Sequence, residues 1–159
     1  MEQNKQVIEK FYTSFQNLDW ENMIGCYHPA VFFYDPVFEN LEGNQVKKMW
    51  QMLCTQAKDF SLEFHGITTD KEYGSCEWVA NYTFSKTGRK VKNTVRSHFK
   101  FFEGKIIEHM DDFDIWKWSR QALGISGWLL GWSSLVKKKI RKNAKYHLAK
   151  FQATVINEK

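Results

Sequence analysis

Apolar residues in the first sixty positions recur at three- and four-residue steps, the spacing of amphipathic helices. The pattern predicts one helix over residues 3–18 and another helix after Gly43. Between them, Asp19 is a typical N-cap residue and predicts the start of a shorter helix. A short apolar run over 30–34 then predicts a strand, which ends at Asp35 before a proline. The N-terminal part of the chain is therefore predicted to be mainly helical.

From about residue 60 the apolar residues alternate with period two, which is typical of strands. Turn-forming pairs divide this region into four strands, predicted over 61–68, 76–85, 91–102 and 105–115. Consecutive strands joined by short turns pair in antiparallel fashion, so we expect a four-stranded meander. Helices followed by a run of strands predict an α+β fold rather than an alternating α/β fold.

The strand predicted over 91–102 has apolar side chains on both faces. Phe99 and Phe101 lie on one face, and Phe102 lies on the other beside His98. A sheet with apolar residues on both faces needs a cover over each face. We expect helices over one face and a second copy of the chain over the other, because two-fold dimers are the commonest assemblies.

The charge of the chain is divided unevenly. The net charge is +5, but residues 116–159 carry ten lysines and arginines against one acid, whereas residues 1–115 carry thirteen against seventeen. Because the main body is mildly acidic, we expect no nucleic-acid partner. The basic end predicts an amphipathic helix whose apolar face carries Val136, Ile140, Ala144, Leu148 and Phe151.

Two interpretations of this basic helix remain open. In the favoured one, its apolar face packs on the body of the protein and its lysines stay in solvent. In the other, it contacts a membrane surface or a partner protein, an idea that depends on Trp128 and Trp132 just upstream. We accordingly divide the chain into a main domain over 1–118 and a helical extension over 119–159.

Composition limits the chemistry that the chain can perform. Aromatic residues make up 16% of the 159 residues, which predicts a core or cavity walled by rings. The sequence has none of the spacings typical of zinc, nucleotide or serine-nucleophile sites, so we predict no metal and no cofactor. Three cysteines outside any CxxC motif, and an N-terminus without an apolar leader, favour a reduced cytoplasmic protein.

Three features are candidates for chemistry. Asp35 follows an apolar strand, where desolvation raises the pKa of a carboxylate towards that of a general base; alternatively, it starts an Asx turn before Pro36. His98 lies within a strand and becomes chemically useful if an acid lies close to it; otherwise it is a hydrogen-bonded core residue. On the last strand, alternation places His109 and Asp111 on one face. Either this face is turned towards a cavity, or the acidic residues belong to a strand end that lies in solvent.

Four segments, in this order, resemble the NTF2-like superfamily, in its SnoaL-like polyketide cyclase and ketosteroid-isomerase-like branch. They are FYTSF at 11–15, WENMIGCYHPAVFFYDPVF at 20–38, LEGNQVKKMWQML at 41–53 and SHFKFFEGKIIEHMDDFD at 97–114. The resemblance covers about residues 4–118. It implies a cone-shaped α+β fold in which a curved, mostly antiparallel sheet wraps around three N-terminal helices. It also implies a pocket at the open end and a dimer formed through the outer face of the sheet.

The resemblance implies catalytic roles for Asp35, His98 and Asp111. In ketosteroid-isomerase-like members an aspartate at the position of Asp35 is the general base, and the oxyanion tyrosine falls near Phe11, with Tyr12 pointing elsewhere. SnoaL-like cyclases use a strand histidine and a following aspartate, which His98 and Asp111 resemble. The arginine and aspartate of limonene-epoxide-hydrolase-like members have no counterpart on the preceding strand, which disfavours epoxide hydrolysis. The substrate pocket is predicted to include Phe11, Phe15, Tyr27, Trp50, His109 and Phe113.

Three functions follow as hypotheses. The first is acid-base catalysis, an isomerisation or aldol-type cyclisation of a small apolar carbonyl compound. In it, Asp35 or Asp111 removes a proton and His98 stabilises the enolate oxygen. The second is non-catalytic binding of a small apolar metabolite in the same pocket. The third is an interaction module that works through the basic tail.

Overall fold

The computed structural model describes residues 2–130 and 133–157. Its helices and strands occur in the order α1 (Glu2–Gln16), α2 (Trp20–Gly25), β1 (Tyr27–Tyr34), β2 (Leu41–Glu42), α3 (Asn44–Gln56), β3 (Ser61–Thr69), β4 (Tyr73–Phe84), β5 (Arg89–Phe102), β6 (Lys105–Asp112), α4 (Ile115–Leu123), α5 (Ile125–Leu130) and α6 (Ser134–Asn157). The three N-terminal helices and the run of strands agree with the predicted element order.

The strands form one six-stranded sheet in the order β2-β1-β6-β5-β4-β3. Strands β3 to β6 pair antiparallel, which confirms the predicted meander. Strand β1 lies parallel to β6, and the two-residue β2 pairs with β1 at the edge of the sheet. The sheet is therefore mixed, and the predicted α+β fold with a curved sheet and a C-terminal helix is confirmed.

The N-terminal helices bury their apolar faces against the concave side of the sheet. Ile8, Phe11, Tyr12 and Phe15 recur at helical spacing on α1, and all four side chains are buried. Helix α2 begins as predicted, because the Asp19 carboxylate accepts a hydrogen bond from the backbone N–H of Asn22, the third residue of the helix. These contacts fix α1 and α2 beneath the strands that carry the site.

The pairing of β5 with β6 contains one irregularity that sets the orientation of the site. Pairing shifts by one residue between Lys100 and Phe101, so that β6 carries an extra residue near its start. As a result Ile106 and His109, which are three residues apart, both point to the buried face. Beyond the irregularity, strict alternation continues and brings Asp111 to the same face.

The C-terminal helices fold back on the main body. Leu148 of α6 is 4% exposed within the core, and Ala144 and Phe151 pack against that core. Ile140 packs against a smaller apolar cluster that includes Trp118 of α4. The predicted packing of the apolar face of this helix on the body is therefore confirmed for these residues.

The alternative interpretation of the tail, contact with a membrane surface or a partner protein, stays a prediction. Trp132 and the side chain of Trp128 lie outside the part of the chain that the structure describes. Among the described residues, no helix is both long and apolar enough to cross a membrane.

Candidate functional site

A cavity of about 710 Å³ lies between the concave face of the sheet and helices α3, α4 and α6. Its volume is in the range of small-molecule sites. Rings and apolar side chains form most of its wall, among them Phe15, Phe33, Phe38, Met49, Trp50, Phe60, Trp78, Phe113 and Trp118. Among the described residues, Asp35 and Asp111 are the only acids in the lining. The structure thus contains the predicted aromatic-walled cavity.

The parallel register of β1 and β6 brings these two aspartates together. Phe33 pairs with His109 in this register, and both side chains are buried. Because side chains two residues further along a strand return to the same face, Asp35 and Asp111 follow on the concave face. Both carboxylates are consequently buried, with Asp35 8% exposed and Asp111 4% exposed.

Asp35 combines a turn with a desolvated carboxylate. Its Oδ1 accepts hydrogen bonds from the backbone N–H of Val37 at 2.8 Å and of Phe38 at 2.5 Å, as expected for the Asx turn. Burial raises the pKa of Asp35 to about 7, the N–H groups of Phe38 and Val37 oppose this shift, and the charge of Asp111 adds to it. The Asx turn and the desolvation expected from the sequence are therefore both features of this side chain.

Asp111 is held by hydrogen-bond donors on one of its oxygens. Its Oδ1 accepts a hydrogen bond from the hydroxyl of Ser97 and lies 2.9 Å from Nε2 of His109. The Ser97 hydroxyl itself accepts from the phenol of Tyr12 at 2.7 Å and from Nε1 of Trp78 at 2.8 Å. Because both lone pairs of the Ser97 Oγ accept hydrogen bonds, the hydroxyl donates its one proton to Asp111. No described residue donates to Oδ2 of Asp111, which remains available to a ligand.

A second chain of hydrogen bonds fixes the ring of His109. Nε1 of Trp50 donates to the Tyr27 hydroxyl at 2.9 Å, and that hydroxyl lies 2.6 Å from Nδ1 of His109. Because the Tyr27 hydroxyl accepts from Trp50, its own proton is directed to Nδ1 of His109, and Nε2 of that ring then donates to Asp111. Burial, with the charge of Asp111, raises the pKa of Tyr27 well above its usual value, so this phenol stays a donor.

The predicted pocket residues divide into two groups. Phe15, Trp50 and Phe113 line the cavity together with the two aspartates. Phe11, Tyr27 and His109 are fully or almost fully buried behind that wall. Phe11 packs edge-on against the rings of Tyr27, Trp50 and His109. This second group supports the site instead of touching the cavity.

His98 does not share the cavity with Asp111, and that expectation is wrong. On β5 the side chains of Val95, Ser97 and Phe99 are buried, whereas His98 is exposed on the opposite face. A difference of one residue along a strand reverses the face, and Ser97 occupies the inward position that was assigned to His98. Tyr12 was also expected to point elsewhere, but it is fully buried and donates to Ser97.

Tyr82 is a polar group of the cavity that the sequence reasoning missed. Its hydroxyl accepts a hydrogen bond from Nε1 of Trp118 at 2.7 Å, and no described residue accepts its own proton. Burial raises the pKa of Tyr82 to about 12, and the charge of Asp35 contributes. The alternation of Trp78, Ala80 and Tyr82 along β4 was the available signal for this position.

Comparison with known families identifies one match. A family model described as a SnoaL-like domain matches residues 8–109, a span that contains Asp35 and ends just before Asp111. No curated protein matches the sequence.

Solved structures share the fold at low sequence identity. A candidate hydroxylase, AclR from Streptomyces galilaeus, is 17% identical with a TM-score of 0.64, covering 82% of this chain and 98% of its own. An LEH-like epoxide hydrolase from M. tuberculosis is 17% identical with a TM-score of 0.65, at 82% and 98% coverage. A candidate polyketide cyclase from Xanthomonas campestris pv. campestris is 14% identical with a TM-score of 0.64, and the match covers 76% of this chain and 97% of the cyclase. At these identities the likeness establishes the fold, which is the cone-shaped fold predicted.

Proposed function

The chain belongs to the SnoaL-like domain family, and on that premise we propose that its cavity performs cofactor-independent acid-base chemistry on a small apolar carbonyl compound. One observation carries this proposal: two buried carboxylates, Asp35 and Asp111, lie side by side in the wall of an otherwise mainly apolar cavity. Burying a carboxylate costs free energy unless it is well paired. A second buried carboxylate beside the first therefore favours a chemical role over a structural one.

Asp35 is the proposed general base. Its pKa of about 7 means that a substantial fraction is ionised near neutral pH, while its basicity exceeds that of an exposed aspartate. In the proposed step, a carboxylate oxygen of Asp35 takes a proton from the carbon next to the carbonyl, and the electron pair moves to the carbonyl oxygen. The charge of Asp111 then favours the protonated form of Asp35.

Tyr82 takes the role that the sequence reasoning gave to His98. Its hydroxyl keeps its proton at neutral pH, because its pKa is about 12. A neutral hydroxyl in an apolar wall can donate a hydrogen bond to the enolate oxygen as negative charge develops there. Where the substrate is a β,γ-unsaturated carbonyl compound, the enolate is a dienolate, and protonated Asp35 returns the proton to its γ-carbon in an isomerisation. In an aldol-type cyclisation the enolate carbon instead attacks a second carbonyl of the substrate, and protonated Asp35 gives its proton to the alkoxide that forms.

Non-catalytic binding of an apolar metabolite is the second candidate function. It is favoured by the predominance of rings and aliphatic side chains in the lining of the cavity. Binding and catalysis differ in a single measurable property, which is whether the bound carbonyl compound exchanges its acidic C–H protons.

The test is deuterium exchange into 2-acetylnaphthalene in D₂O, followed by proton NMR. We expect exchange above the buffer rate with the wild-type protein and at least a hundredfold less acceleration with Asp35→Asn. Asp112→Asn is the matched control, since Asp112 is next to Asp111 but exposed on the opposite face. Tryptophan fluorescence reports binding independently, because Trp50, Trp78 and Trp118 line the cavity. Binding without exchange, for this ketone and a panel of larger enolisable ketones, would overturn catalysis and favour the binder.

A further inference from the structure

Positive charge gathers at the opening of the cavity. Lys58, Lys86, Lys139 and His147 line it, and all four are exposed, which places them where the cavity meets solvent. The two acids of the lining are buried at the inner wall. Charge is therefore separated along the cavity, with carboxylates inside and basic groups at the opening.

Among the described residues, the three lysines at the opening form no ion pair, unlike the basic residues that pair with Asp59 and Glu39. Lys90 pairs with Asp59, and Arg141 and Lys145 both pair with Glu39. Among the described residues, no acid lies within ion-pair distance of Lys58, Lys86 or Lys139.

Different elements bring these basic groups to the opening. Lys86 belongs to the turn between β4 and β5, whereas His147 lies on α6. Partial burial lowers the pKa of His147, and the charges of Lys86 and Lys150 lower it further, so Lys86 lies near His147 and the imidazole is favoured in its neutral form. The lysines of the opening carry the positive charge there, and a bound anion gains electrostatic free energy from lysines that have no ion-pair partner.

Helix α6 presents two rows of side chains to the cavity. Val136, Ile140 and Ala144 form an apolar row, and Lys139, Asn143 and His147 form a polar row beside it. Each row follows the four-residue spacing of one helix face. The helix thus offers an apolar surface and, beside it, a polar edge that carries the charge of Lys139 to the same ligand.

We propose that the ligand of this cavity is an amphipathic organic anion, with an apolar, carbonyl-bearing body inside and a carboxylate at the opening beside Lys86 and Lys139. The carbonyl of this ligand rests on the proposed function, whereas the carboxylate at the opening rests on the lysines of the lining. Asp35 and Asp111 repel an anionic group, whereas the lysines attract it. The charge separation therefore fixes the orientation of the ligand and brings its carbonyl end to the two aspartates.

The test compares 4-(naphthalen-2-yl)-4-oxobutanoic acid with its methyl ester by isothermal titration calorimetry. We expect the acid to bind more tightly than the ester, and the difference to shrink in high salt. Lys86→Gln and Lys139→Gln should each weaken binding of the acid about fivefold, the scale of an exposed ion pair, without affecting the ester. Lys10→Gln is the matched control, because this exposed lysine on α1 is not part of the lining.

Each outcome separates this inference from the proposed function. The anion inference is overturned if the acid and the ester bind equally, if neither binds, or if Lys10→Gln weakens binding of the acid as much as the lysine variants of the opening do. This holds even if Asp35-dependent exchange of 2-acetylnaphthalene is observed. A lysine-dependent preference for the acid, without proton exchange in either probe, supports the anion inference and overturns catalysis.

Discussion

Asp35 lies beside Asp111 because the parallel strands β1 and β6 pair Phe33 with His109, two residues before each aspartate. The two carboxylates differ in their surroundings. Asp35 is desolvated and has a pKa of about 7, whereas Asp111 receives hydrogen bonds from Ser97 and His109. Neighbouring carboxylates in unequal surroundings are a recurrent arrangement for acid-base work.

The first prediction concerns the pH dependence of the proposed exchange reaction. A general base acts in its ionised form, so kcat/KM should rise about tenfold per pH unit below pH 7 and level off above it. The measurement is the initial rate of deuterium exchange into 2-acetylnaphthalene between pH 5 and pH 9. A rate that is flat across this range, or that falls as the pH rises, would exclude Asp35 as the base.

The second prediction concerns stability against pH. The pKa of Asp35 is about 7 in the folded protein, against an ordinary value of 3.8 for an aspartate in the unfolded chain. The folded state therefore binds more protons than the unfolded state between these values, and the contribution of Asp35 falls as the pH rises from about 4 to about 7. The decrease amounts to at most about 4 kcal/mol in the free energy of unfolding.

Asp35→Asn should remove this contribution. Urea unfolding at half-unit pH steps should show that the variant gains stability relative to the wild type as the pH rises through that window. Asp112→Asn, which removes an exposed carboxylate, should follow the wild-type profile. If the wild type and Asp35→Asn show parallel profiles, the carboxylate of Asp35 is not desolvated in solution.

Most of the fold could be predicted from the sequence, because its elements carry strong periodic patterns. The three N-terminal helices, the meander and the basic C-terminal helix follow from local spacing, and Asp19 marks the start of α2, whereas α4 and α5 were not predicted. The parallel pairing of β1 with β6 could not be predicted from local spacing, since it joins segments far apart in the chain. The resemblance nevertheless identified Asp35 and Asp111, which the structure brings together.

The wrong predictions at the site concern which face of a strand or helix a side chain occupies, and the missed contacts join different elements of the fold. His98 and Ser97 are adjacent, and a shift of one residue in the assumed alignment exchanges their faces. Tyr12 continues the four-residue step from Ile8 on α1, a spacing that would have predicted its burial. The hydrogen bonds of Tyr12 and Trp78 to Ser97 depend on how α1 and β4 meet β5, which no local pattern specifies.

The third prediction tests this corrected assignment by comparing Ser97→Ala with His98→Ala. Loss of the Ser97 hydroxyl leaves the buried donors of Tyr12 and Trp78 without an acceptor, which should lower the free energy of unfolding by about 2–4 kcal/mol. Removing the exposed His98 side chain should change it by no more than about 1 kcal/mol. Chemical denaturation of both variants measures the difference, and equal costs would contradict the assigned faces of β5.

The fourth prediction concerns the link between Tyr27 and His109. In the wild type, ¹⁵N chemical shifts should show a proton on Nε2 of His109 and none on Nδ1. Tyr27→Phe removes the hydrogen-bond partner of both Nδ1 of His109 and the indole N–H of Trp50. It should therefore lower the free energy of unfolding by about 1–3 kcal/mol and populate the His109 tautomer that has its proton on Nδ1. Tyr146→Phe, which removes an exposed phenol, should leave both properties unchanged. A wild-type proton on Nδ1 would reverse the proposed direction of the hydrogen bonds.

The homodimer through the outer face of the sheet stays a prediction with a direct test. Phe102 and Met110 on that face are 53% and 45% exposed, and apolar groups in such positions are typical of interfaces. If the chain is a dimer, Met110→Lys should shift it towards the monomer in light scattering, because a buried charge opposes association. Leu135→Lys, at an exposed position of α6, is the control. A wild-type monomer at micromolar concentration would contradict the prediction.

The last prediction tests whether α6 packs on the body in solution, as its apolar face requires. Leu148 is 4% exposed and Leu135 is 78% exposed, although both are leucines of the same helix. Leu148→Ala should lower the free energy of unfolding by about 2–4 kcal/mol, the cost of a cavity in a core, whereas Leu135→Ala should cost no more than about 0.5 kcal/mol. Because Ala144 and His147 line the cavity beside Leu148, the first variant should also weaken ligand binding. Equal, small effects would instead mean that α6 is detached from the cavity and free to bind a partner or a membrane surface.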